Sequence, residues 1–135
     1  MDMYLDWHHA SIRMGAGGYM FRKYFSGLMD KDGVGASKFA IDESWQILLR
    51  SLKLIERIWL PKNSNKKFMF GDKPSIADLS LAGEIGNMEA MNFPLKEKFP
   101  SIHKWLYEDM MSIPGFKKVH DKGVRKVVKS IKMLE

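Results

Sequence analysis

The chain has 135 residues, 45% of them hydrophobic and 28% charged, a composition that fits one globular domain with enough apolar material for a core. It has no cysteine, which excludes disulfides, thiolate metal sites and thiol nucleophiles, and no apolar run of about 18 residues that would span a bilayer. The net charge of +6 sits in one place: seven bases and one acid, Asp121, lie between Lys117 and Lys132, leaving fifteen bases and fifteen acids elsewhere. A basic balance ordinarily suggests nucleic acid or an anionic membrane as partner, and here that suggestion narrows to a single C-terminal segment. The opening MDMYLDWHH has neither the basic start nor the apolar stretch of a secretory leader, which points to the cytosol.

In chain order, the first 28 residues read as helix, with Leu5, Ile12, Ala16 and Tyr19 on one face. Gly15, Gly17 and Gly18 lie inside this stretch. Each costs a helix interior roughly 1 kcal/mol relative to alanine, so their presence predicts a close approach by another helix or a ligand; the alternative is a break into two shorter helices. After a breaker-rich piece (29–38) comes the clearest stripe: Ile41, Trp45, Leu48, Leu52, Ile55 and Trp59, spaced 4, 3, 4, 3 and 4. Ser37 is its expected N-cap and Pro61 its end. KKFMFG at 66–71 is strand-like but too short to pair alone. A further helix carries Ile102, Trp105, Leu106, Met110 and Ile113, with Ser101 as expected cap and Pro114-Gly115 as stop. The last, about 116–135, carries Val124, Val127, Val128, Ile131 and Leu134 with the lysines opposite. Trp45, Trp59 and Trp105 fall on apolar stripes and read as core. The expected class is all-α, about five helices in a single domain over 1–135.

Between these lies KPSIADLSLAGEI at 73–85. Ser75 and Asp78 have the spacing of a capping box, in which the serine hydroxyl and the acid three residues on satisfy each other's backbone N–H groups. The helix that follows places Leu81, Ile85 and Met88 in the core.

FMFGDKPSIADLSLAGEI resembles the stretch that opens the central buried helix of the C-terminal domain of glutathione transferases. FPSIHKWLYEDMMSIPGFKKVH resembles that domain's next two helices, and YLDWHHASIR at 4–13 the start of its first long helix, closest to the theta class. The resemblance covers Tyr4 to about His120. It implies a glutathione-transferase C-terminal-like bundle that forms the wall receiving a hydrophobic electrophile and part of a homodimer interface, in a cytosolic detoxifying enzyme.

The family's thioredoxin-like N-terminal domain, which binds the co-substrate glutathione and activates its thiol, has no counterpart here. The chain is therefore expected to bind no cofactor alone and to be inactive in isolation, and no catalytic residue is assigned. On the first helix the resemblance implies a substrate-binding role for Arg13, with His9, Gly17 and Phe21 along the same side; the structural alternative for Arg13 is an ion pair with an acid such as Asp6. His8 and His9 are adjacent and point about 100° apart, so they cannot grip one ion, and no metal is expected. The basic tail reads first as a solvated helix face, with a lid over the cleft or an anionic-surface contact as alternatives; no nucleic acid partner is expected. A rival from another class is a non-catalytic interaction module of the kind found in elongation-factor gamma subunits and aminoacyl-tRNA-synthetase complexes.

Overall fold

The computed structural model describes residues 1–135. It is all-helical, with α1 (Asp2–Ala10), α2 (Ile12–Met20), α3 (Ser26–Met29), α4 (Lys38–Leu54), α5 (Ile76–Ala90), α6 (Leu95–Lys98), α7 (Pro100–Lys104) and α8 (Phe116–Leu134). Three of these continue into wider π-type turns, Phe21–Phe25 between α2 and α3, Ile55–Trp59 after α4 and Trp105–Asp109 after α7. Counted as continuous stretches, leaving out the single turn α6, the helices are six. One more than expected arises because the first breaks at Ser11, where φ −122° and ψ −85° leave the helical region.

The glycines do not break the helix. Gly15, Gly17 and Gly18 all lie within α2. A Cβ at Gly15 would sit 2.5 Å from the Leu48 Cα and 2.6 Å from its nitrogen, so the residue is the price of laying α2 directly on the backbone of α4. Ser44 and Ser51 of α4 are buried and bond the carbonyls of Ala40 and Ile47 one turn earlier, which keeps α4 slim.

Helix α5 is the centre of the molecule. Leu81, Ile85 and Met88 are fully buried, and they join Tyr4, Ile12, Leu48, Leu52, Ile55, Ile102, Trp105, Leu106 and Met110 in one core. Trp45 and Trp59 pack against that core, half-buried. Ser37 caps α4 by accepting from the Ala40 N–H, at 3.2 Å. Residues 66–71 form no strand: a single bridge pairs Phe68 with Gly71 and buries Phe68 and Met69.

The cap of α7 differs from expectation. Phe99 is the N-cap position, Pro100 opens the helix and Ser101 lies inside it. The free amides of Ser101 and Ile102 instead donate to the Glu56 carboxylate, at 2.8 and 2.9 Å. An acid 45 residues upstream on the π-turn after α4 thus satisfies the helix terminus, which no local spacing could reveal.

Candidate functional site

Two buried acids of α5 organise the polar interior. Asp78, fully buried, is the partner of Ser75: its Oδ2 accepts from the Ser75 N–H at 2.9 Å and from the Ser75 hydroxyl at 2.8 Å. Its Oδ1 accepts from the Met69 N–H and from the Trp105 indole N–H, each at 3.0 Å. The carboxylate that starts the helix therefore also ties down the preceding turn and the π-turn that continues α7. Pro74 and Leu79 both remain exposed, so no apolar staple backs the cap.

Glu84, two turns further along, is the second buried acid. Its Oε1 accepts from the Arg13 Nε at 3.1 Å and lies 3.4 Å from the His8 Nε2, an ion-pair distance without hydrogen-bond alignment. Behind it, the Tyr4 hydroxyl and His8 Nδ1 are 3.2 Å apart. Burial alone would raise the Glu84 carboxyl; the Arg13 hydrogen bond and the electrostatic attraction of His8 and Arg13 outweigh it and hold the group below its ordinary value. Burial, together with the negative charges of Asp78 and Glu84, pushes the Tyr4 phenol well up.

Of the residues singled out on the first helices, Arg13 and Gly17 come together around Glu84. A Cβ at Gly17 would lie 3.5 Å from the Glu84 Oε2, in ordinary contact. Only the Arg13 Nε is engaged, and more than half of its side chain (56%) is open to solvent. His9 is exposed, and it is His8 that turns inward to meet Glu84. Phe21 is 47% exposed at the start of the wider turn. Asp6 is not the partner of Arg13; Glu84, 71 residues away, is.

Comparison with known proteins defines the class. Residues 38–106 match the model of the family "Glutathione S-transferase, C-terminal domain", and the chain belongs to that family. It is 32% identical over 123 residues to glutathione S-transferase T1 of Arabidopsis thaliana, covering 87% of this chain and 48% of that protein. It is 36% identical over 100 residues to glutathione S-transferase T2 of the same plant (74% and 16%), and 30% identical over 105 residues to glutathione S-transferase theta-1 of Gallus gallus (78% and 38%). The chain thus spans about half, or less, of the curated relatives it matches. No solved structure matches it.

Proposed function

We propose that this chain is the helical half of a theta-like glutathione transferase, a single domain over residues 1–135 that forms the wall for a hydrophobic electrophile and part of a homodimer interface. In this reading the parent enzyme is cytosolic and conjugates glutathione to electrophiles. The group that activates the thiol belongs to a thioredoxin-like domain outside these residues, so the 135-residue chain alone has negligible transferase activity.

The observation that carries the reading is Arg13. Glu84 engages only its Nε and leaves the fork of amino groups unbonded, ready for an anionic group on the electrophile or its leaving group. Gly17 keeps the adjoining surface low, while His9 and Phe21 would border the same wall from their exposed positions. Exposed Ile76 and Leu79, at the start of the otherwise buried α5, support a further surface that another domain covers.

The test joins this chain to its thioredoxin-like partner domain and follows glutathione conjugation. Arg13→Ala should lower kcat/KM for an anionic electrophile roughly 10- to 100-fold, the weight of one charge-assisted hydrogen bond, and change it little for a neutral one. An intact two-domain protein that transfers no thiol would remove the enzyme reading; equal losses for both electrophiles would remove the role of Arg13.

A further inference from the structure

We infer that the outward face of α8 is a docking surface for an anionic lipid bilayer. One side of this helix is already occupied. Phe116, His120, Val124 and Val127 face α5 across a groove, Ile131 is buried, and the His120 Nε2 bonds the Glu89 carboxylate of α5 at 2.9 Å. The helix is therefore held in place, with one face turned permanently outward.

That outward face is a straight line of charge. Lys118, Lys122, Arg125, Lys129 and Lys132 recur at spacings of 4, 3, 4 and 3, which keeps all five on one stripe. The stripe is about 21 Å long at 1.5 Å per residue. All five side chains are exposed, and none is within ion-pair distance of an acid. The single acid of the helix body, Asp121, is taken by Lys117. Since the rest of the chain is balanced, the molecule's field is concentrated on this face.

The neighbouring side chains favour a lipid surface over other polyanions. Met133 flanks the bases and is 77% exposed, an apolar group placed where it would reach below phosphate headgroups. A shallow depression lined by Arg125, Lys129 and Lys132 has Val128 and Met133 between the charges. The face carries no aromatic ring and no amide side chain, so it has nothing with which to stack on or read a base. Because the helix's main apolar side packs on α5, the attachment is peripheral and electrostatic, and salt weakens it.

The experiment is co-sedimentation of the 135-residue protein with vesicles of phosphatidylcholine alone or mixed with phosphatidylserine, at low and high salt. Binding is expected only with phosphatidylserine and is expected to fall at high salt. Each base near an anionic leaflet contributes roughly fivefold, so Lys122→Ala/Lys129→Ala should weaken partition about 25-fold and Lys118→Ala/Arg125→Ala by a similar factor. Lys62→Ala/Lys66→Ala removes the same charge from another face and should change it by about twofold or less. Circular dichroism confirms that the variants are folded. No partition onto phosphatidylserine vesicles at low salt, equal losses for the two kinds of double variant, or tighter binding to a single-stranded homopolymer than to vesicles at the same salt would each overturn the inference.

Discussion

Replacing Asp78 by alanine should be among the most damaging single changes available to this chain, far beyond the loss of a helix cap. A cap alone is worth about 1 kcal/mol. Here the same carboxylate also accepts from two buried donors outside its own helix, the Met69 N–H and the Trp105 indole N–H. Leaving each without a partner costs roughly 1–3 kcal/mol, so the total is about 3–7 kcal/mol against a domain stability on the order of 5–15 kcal/mol. Asp78→Asn keeps the shape but sets an N–H₂ against two of the four donors, and should cost about half as much. Ser75→Ala removes only the local hydroxyl and should cost about 1 kcal/mol. Urea unfolding followed by circular dichroism measures all three, with Trp105 emission as a local reporter of the lost bond. If Asp78→Ala proves no worse than Ser75→Ala, the carboxylate is an ordinary cap and the cross-links to Met69 and Trp105 carry no weight.

Two glycine substitutions should move stability in opposite directions. Gly15→Ala drives a methyl into the Leu48 backbone, for which overpacking costs typically about 1–3 kcal/mol; Gly83→Ala meets nothing within 4 Å on α5 and should stabilise by roughly 0.5–1 kcal/mol. Thermal melts compare the pair, and a stable Gly15→Ala protein would mean that α2 and α4 are not in backbone contact. Acid sensitivity should trace to Glu84. Its folded carboxyl lies below the ordinary value of 4.5, so its contribution is fully present above that value and is lost as pH falls through the lower folded one. Glu84→Gln should flatten the urea midpoint over that acid window, and an unchanged slope would assign the pH dependence to other carboxylates.

The helices were legible where a single stretch of chain carries its own signals. The stripe from Ile41 to Trp59 needs only spacing, and the Ser37 and Pro61 punctuation bounds it within a residue or two. The central helix is legible for the same reason, since Ser75 and Asp78 start it and its residues are apolar almost all round. What failed was whatever depends on a distant partner. Ser101 has the local look of a cap, yet Glu56 supplies the acceptor because the π-turn after α4 brings it beside α7. The break at Ser11 likewise has no local breaker; the glycines that follow it stay within one helix, and Gly15 marks the close approach of Leu48 that was expected of them.

The same distinction decides how much of the site could be read. Spacing within one helix pairs His9 with Arg13, four residues apart, but Ser11 between them leaves the helical region, and His8 is the histidine that meets the Arg13 partner. Glu84 was missed, although a signal existed. An acid in a helix that is apolar nearly all round must be buried, and a buried carboxylate needs a cation or several donors. Applied to α5, that requirement singles out Asp78 and Glu84, whose partners are Trp105 beyond α7 and Arg13 and His8 on α2 and α1; the half-buried Glu89 is tied in turn to His120 on α8. The acids of the central helix thus mark where the other helices attach. Arg13 is aimed by the same kind of tie that holds the basic helix in place.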